Sequence, residues 1–200
     1  MNTKEKILAE GLKLFNKDGV ENVTTRHIAS EIGISQGNLH YHFPNKNEII
    51  LALFDGLMEQ LMAARRHNSA EVFRKEEVLE SMKQNFLIMQ SYRFLFKDNE
   101  VVWRRLPAIR KKMIALLDQK KLEIKSIIAE YVRHGIFRED ISQVQIDFLA
   151  DQFIFTISSW LTASEYLGVG NKASYFAVYT FRQWLPYLTQ DEMKKWEEML

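Results

Sequence analysis

The stretch "TTRHIASEIGISQGNLHYHFPNK", residues 24–46, decides how this chain is read. It contains His27, His40 and His42, so a metal or catalytic patch is the first question it raises. The local punctuation answers it. Thr24 or Thr25 can cap a short helix that turns Ile28, Ala29 and Ile32 inward, and Gly33 ends that helix. Ser35 can cap a second helix running through Leu39 to Phe43, which Pro44 closes because its ring cannot be accommodated further. On a strand His40 and His42 would share a side, whereas on a helix they point about 200° apart and cannot hold one ion. The expectation is therefore no metal site, with His42 turned toward the core and His40 exposed. Two helices joined by a turn of about three residues around Gly33 have the spacing of a helix-turn-helix.

Outward from this stretch, the chain reads as helix in both directions. Asn2 with Glu5 fits a capping box, and Ile7, Leu8, Leu12 and Phe15 keep helical spacing until Gly19, which predicts a helix over 3–18. Asn45 with Glu48 fits another capping box and opens a long helix through Ile49, Ile50, Leu53, Leu57 and Leu61. Further helices are expected over 75–97, from Pro107 to about His134, over "SQVQIDFLADQFIFTISSWLTASEYLG" (142–168), over "NKASYFAVYTFRQWLP" (171–186), and briefly after Thr189. No strand alternation of any length is present, so the fold class is all-α.

Composition narrows the function classes. Glycine (8) and proline (3) are scarce, in keeping with long helices. The chain has no cysteine, which excludes disulfides and thiolate metal sites and suits a reducing cytoplasm, the expected location. No segment has the length and apolarity of a membrane span, and no membrane partner is expected. The net charge is +1, and residues 1–50 hold six Lys/Arg against six Asp/Glu. A DNA-binding reading must therefore rest on the placement of particular cations. No paired carboxylates with a histidine, activated nucleophile or phosphate loop is recognisable, so no catalytic residue and no cofactor are assigned.

Residues 24–50 resemble the DNA-binding head of TetR-family (TetR/AcrR-like) transcriptional regulators. The resemblance covers about the first 55 residues: Thr24, Ile28-Ala29, Gly33, Ser35, Leu39, the aromatic run to Phe43, and Lys46 before an apolar helix. It implies an N-terminal three-helix helix-turn-helix head over 1–45 and a C-terminal helical effector-binding and dimerisation domain over 46–200, with the helix after Asn45 as a lever. Carried over by position, Thr24, Thr25 and Arg26 would meet phosphates and in part bases. Ser35, Gln36, Gly37 and Asn38 would form the exposed start of the recognition helix, with His40 and Tyr41 reaching backbone or bases. Lys46 would grip a phosphate. Three positions depart from the family pattern: His40 replaces a usual tyrosine, His27 a frequent acidic residue or lysine, and Pro44 a commonly basic one.

The resemblance implies an effector-responsive repressor that binds a palindromic operator as a homodimer. Met82, Phe86, Met89, Trp103, Phe153, Trp160 and Tyr166 are candidates for an effector pocket, and their types suit a lipophilic or aromatic small molecule. Phe155, Ser158, Ser159, Ala163, Tyr175, Tyr179 and Phe181 are candidates for the dimer face. The run "RRLPAIRKKMIALLDQKKLEIK" (104–125) holds eight Lys/Arg against Asp118 and Glu123, and reads most simply as the solvated face of an amphipathic helix. Asp147 and Asp151 share a helical face with no recognisable partner. The rival reading is an all-helical ligand-binding protein or enzyme with an incidental helix-turn-helix.

Overall fold

The N-terminal helix starts where the capping box was expected. Asn2 Oδ1 accepts the Glu5 N–H at 2.9 Å, and Glu5 Oε2 accepts the Asn2 N–H at 2.9 Å. The computed structural model describes residues 1–67, 75–169 and 172–197, and among these the regular elements are helical. They are α1 (Thr3–Asp18), α2 (Thr25–Glu31), α3 (Gln36–His42), α4 (Lys46–His67), α5 (Lys75–Ser91), α6 (Phe94–Lys97), α7 (Asn99–Arg105), α8 (Pro107–Arg133), α9 (Gln143–Tyr166), α10 (Ala173–Arg182), a 3-10 turn (Leu185–Tyr187) and α11 (Gln190–Glu197).

Two expectations change. The helix read as 75–97 breaks after Ser91, because the Phe94 N–H is given to the Asn16 side chain at 3.1 Å. The break also sets the Phe94 ring 5.3 Å from that of Phe15. The helix read as 171–186 begins at Ala173 and ends at Arg182, with Pro186 inside the following 3-10 turn, where its fixed φ is tolerated. Asn171 lies outside the described residues.

The chain divides into two compact units, 1–63 with 88–112, and 64–87 with 113–200. The first holds α1, α2, α3, most of α4, the end of α5, α6, α7 and the first turns of α8. Its core is Ile7, Phe15, Val20, Val23, Ile28, Leu39, Ile49, Ile50 and Phe54 from the head, with Tyr92, Phe94, Leu95 and Val102 from the later segment. A cut at residue 45 separates the three-helix head from the rest of the sequence, but compactness groups that head with 88–112.

The second unit is built on α8, α9 and α10 around an aromatic centre. The Tyr131 ring meets Phe137 at 5.4 Å and Trp184 at 5.9 Å, both edge to face, and Phe181 stacks on Trp196 at 3.8 Å. Phe181, expected at a dimer face, is thus fully buried core. Asp147 and Asp151 also acquire partners. Asp147 pairs with Lys125 at 2.7 Å and Asp151 with Lys121, tying α9 to α8. The Lys125 hydrogen bond, then that of Gln143, hold the Asp147 carboxyl below its ordinary value. Strand-like bonds close the end of this unit: the Arg138 N–H donates to Tyr187 O and the Thr189 N–H to Ile136 O, each at 2.9 Å.

Trp196 is buried although it lies near the C-terminal end of the chain, and its indole donates to Glu192 at 3.1 Å. Replacing Trp196 with Ala removes the stacked partner of Phe181 and leaves a cavity. We expect a loss of about 3–5 kcal/mol of unfolding free energy, measured by urea denaturation.

Candidate nucleic-acid interface

The turn between α2 and α3 depends on Gly33. Its φ is +68°, while a Cβ there would meet nothing within 4 Å. Backbone conformation, not space, is what requires glycine. The Gly33 N–H bonds Ser30 O at 3.2 Å and the Ile34 N–H bonds Ala29 O at 3.0 Å, so α2 ends cleanly. Ser35 Oγ then accepts the Asn38 N–H at 3.1 Å and starts α3.

Leu39, fully buried, and Phe43, nearly so, anchor α3. With those two positions inward, Gln36, Gly37, Asn38, His40 and Tyr41 face solvent. Tyr41 is 84% exposed, far more than a tyrosine needs for packing. His42 is half-buried, with its ring 5.2 Å from that of Tyr41. The two histidines of α3 therefore diverge as helical phase requires. Among the described residues, no three His, Asp or Glu side chains are placed to hold a metal ion. At Gly37 the nearest atom to an added methyl would be Ser35 Oγ, at 4.0 Å. The protein's own packing would admit a side chain there.

On α2, Thr24 Oγ1 accepts the His27 N–H at 3.2 Å, which caps the helix without the acidic partner of a capping box. Thr24 and Arg26 are exposed and Thr25 is half-buried. These residues and the front of α3 belong to the same compact unit, and apart from Arg26 and the two histidines they are uncharged side chains of types that pair with base edges and phosphates.

Lys46 has a use the sequence did not suggest. Its ammonium donates to Val20 O at 2.6 Å and to Val23 O at 2.8 Å, fastening the α1–α2 loop to the first turn of α4. Partial burial pushes its pKa below the ordinary lysine value, the Arg105 charge pushes the same way, and Glu21 opposes. A lysine ammonium has three N–H donors, and these two carbonyls take two of them. The loop is held from its other side by Asp98, whose Oδ2 accepts the Val20 N–H at 2.8 Å. Asn16 completes the clamp by donating to Ser91 O at 2.7 Å and accepting the Phe94 N–H, while Arg93 Nε donates to Asn16 O at 3.0 Å. The sole sequence hint of this clamp is the polar "KDN" at 97–99 between apolar segments.

The effector-pocket candidates are divided between the two units. Met82, Phe86, Phe153 and Trp160 are buried in the second unit, where Phe86 stacks on Phe176 at 4.9 Å and Phe176 meets Trp160 at 5.5 Å. Met89 is buried in the first unit, and Trp103 is half-buried there under Arg110. Tyr166 is 87% exposed on the last turn of α9, so it lines no interior in the described chain. The second unit also carries an open hollow of about 340 Å³, lined by Phe148, Gln152, Phe155, Thr156, Tyr179 and Gln183. None of the seven candidates lines it.

Removing the Lys46 ammonium leaves two carbonyls of the α1–α2 loop without this donor. Lys46→Met keeps the apolar stem, and we expect it to lower stability by about 1.5–3 kcal/mol, the range for hydrogen bonds from charged groups. Thermal and urea unfolding of the variant check this. Unchanged stability would mean that the clamp does not depend on Lys46.

Comparison with known proteins agrees with this geometry. The family described as "Bacterial regulatory proteins, tetR family" matches residues 7–53, and "Bacterial transcriptional repressor" matches residues 53–195. The chain is similar to the HTH-type transcriptional regulator CymR of Pseudomonas putida, 24% identical over 148 residues, which is 72% of each chain. It is 30% identical over 95 residues to the class G tetracycline repressor protein of Vibrio anguillarum, spanning 48% of this chain and 43% of that one. The crystal structure of a TetR-family transcriptional regulator from Marinobacter aquaeolei VT8 superposes with a TM-score of 0.90 at 25% identity, covering 100% of this chain and 97% of the other. Among the described residues, no helix is long and apolar enough to cross a membrane. A capped helix-turn-helix with an exposed third helix, continued by a helical domain that the second family matches to residue 195, shows that the chain belongs to the TetR family of bacterial DNA-binding transcriptional regulators.

Proposed function

We propose that this regulator is an effector-responsive repressor that binds a palindromic operator as a homodimer. The observation that carries the reading is the front of α3. Gln36 and Asn38 stand exposed on either side of Gly37, where the fold itself leaves room for a side chain. Each amide can pair bidentately with adenine, giving about 1–3 kcal/mol of base discrimination per good pair. Thr24, Thr25, Arg26, Ser35, His40, Tyr41 and the remaining N–H of Lys46 supply backbone contacts that fix register.

The dimer reading rests on an apolar stripe. On α9, Val144 and Phe155 are 78% and 75% exposed, Phe148 lies between them at helical spacing, and Tyr175 and Tyr179 are exposed on α10. Exposed apolar rows of this kind mark protein interaction faces. Ser158, Ser159 and Thr162 are exposed and Ala163 is half-buried in the same part of α9, and such small residues allow helices to approach closely. The effector reading rests on the aromatic and thioether side chains of the second unit, Met82, Phe86, Phe153 and Trp160, which suit a lipophilic or aromatic molecule. Such a molecule regulates only by binding one conformation of the protein more tightly than another.

Selection of bound duplexes from a random pool is expected to return an inverted repeat with half-site centres about 34–36 Å apart. Gln36→Ala or Asn38→Ala should relax base preference at particular positions of that repeat while leaving salt dependence nearly unchanged. A diffuse pool from the wild-type protein would reject the reading as a whole.

Charge placed in the apolar stripe should separate the protomers. Phe155→Asp is expected to give a folded monomer in sedimentation and to bind the palindrome weakly. A dimer of unchanged affinity would move the interface elsewhere.

A further inference from the structure

The head and the first part of α4 are poorly equipped to hold a polyanion. Residues 1–63 carry six Lys/Arg against eight Asp/Glu. Affinity for duplex DNA comes largely from cations that displace counterions from phosphates, so a unit with this balance needs positive charge from another part of the chain. Residues 88–112, which pack into the same compact unit, carry seven Lys/Arg against Asp98 and Glu100.

The structure sorts the cations of the basic run, in which Lys111 is also exposed on α8. Lys112 pairs with Asp55 at 3.2 Å, Lys120 with Glu123 at 3.5 Å, Lys125 with Asp147 at 2.7 Å, and Lys121 with Asp151. Arg110 lies over the Trp103 ring. At the end of α7, Arg104 is exposed and reaches only the exposed Glu21, at 3.6 Å, and Arg105 is exposed with no carboxylate partner among the described residues.

Their position is fixed by the clamp. Asp98, immediately before α7, bonds Val20, and Arg104 faces Glu21. Glu21 lies three residues before Thr24, at most about 11 Å of extended chain from the α2 cap. Arg105 is close enough to Lys46 for its charge to depress that ammonium's pKa. Like charges converging beside one loop repel each other, and a bound anion relieves that repulsion. Arginine's planar fork matches phosphate oxygens in a bidentate way, which an ammonium does not.

We propose that Arg104 and Arg105 form a DNA-backbone contact outside the helix-turn-helix, extending the phosphate-binding edge of Thr24–Arg26 and Lys46. The assignment rests on the DNA-binding reading above and names where that reading obtains its electrostatic affinity. The two arginines bind phosphate and read no base. Glu21 shields Arg104 in the free protein and competes with phosphate for it.

The test measures anisotropy of labelled operator and unrelated duplexes over a range of salt, with full-length protein. Arg104→Ala/Arg105→Ala should weaken both duplexes to the same degree, on the order of tenfold, with the slope of log affinity against log salt falling by about 0.9 for each phosphate no longer neutralised. Base preference should not change. Arg104→Lys/Arg105→Lys should restore the slope, and Glu21→Gln should tighten binding, an effect no purely structural role predicts. The proposal is overturned if the folded double alanine variant keeps wild-type affinity and slope. It is equally overturned if the variant loses affinity for the operator alone, or if it loses binding to anionic vesicles with DNA binding intact. Wild-type protein with no preference for any duplex would instead overturn the DNA reading on which the proposal stands, and the two failures are thereby distinct.

Discussion

Much of the recognition unit depends on one half-buried cation. The Lys46 ammonium holds the carbonyls of Val20 and Val23, and the Asp98 carboxylate takes the Val20 N–H. Together they fix both faces of the peptide chain between α1 and α2. That loop sets where Thr24 caps α2, and α2 through Gly33 sets where Ser35 starts α3. A loop of this length would otherwise carry its own entropy of about 1–2 kcal/mol per residue against any fixed presentation of the recognition helix. A lysine suits the task because its ammonium can serve two carbonyls and still have an N–H to offer.

The same economy of partners runs through the head. Helices of seven residues are too short to be stable alone, and their order comes from packing and caps. Ile28, Ala29, Leu39 and Phe43 bury the inner faces, and Thr24 and Ser35 satisfy backbone donors at the ends. Little is then left on the outer face except polar side chains, glycine, His40 and the Tyr41 ring. This division parts the histidines of α3. The residue positions that could ligate are parted by helical phase, and the positions that remain together are those suited to touching a duplex.

In the second unit the apolar content exceeds what one chain buries. Tyr131, Phe137, Phe153, Phe181, Trp184 and Trp196 fill the core, whereas Val144, Phe148 and Phe155 are left in water on α9. Lys121 and Lys125 bind Asp151 and Asp147 of α9, whereas its apolar row stays exposed in the described chain.

Most of the fold class was legible in the sequence, because what specifies a helix lies within four residues of each position. The Asn2, Thr24 and Ser35 caps, the positive-φ glycines Gly19 and Gly33, the breaker Pro44, and Pro107 at the first position of α8 act locally, and so do apolar spacings. Hence the helix-turn-helix and the exposed face of Gln36, Gly37 and Asn38 follow from the order of residues alone. What the sequence could not show were partners distant along the chain. Asn16 bonds to Ser91, 75 residues away, Val20 to Asp98, 78 residues away, and Lys46 to a loop 23 to 26 residues before it. The break of α5 at Ser91, the burial of Phe181 and the exposure of Tyr166 have the same origin. Periodicity states which side of a helix is apolar, but only the tertiary packing decides which apolar side finds a neighbour, because that depends on the other helices and not on the helix itself.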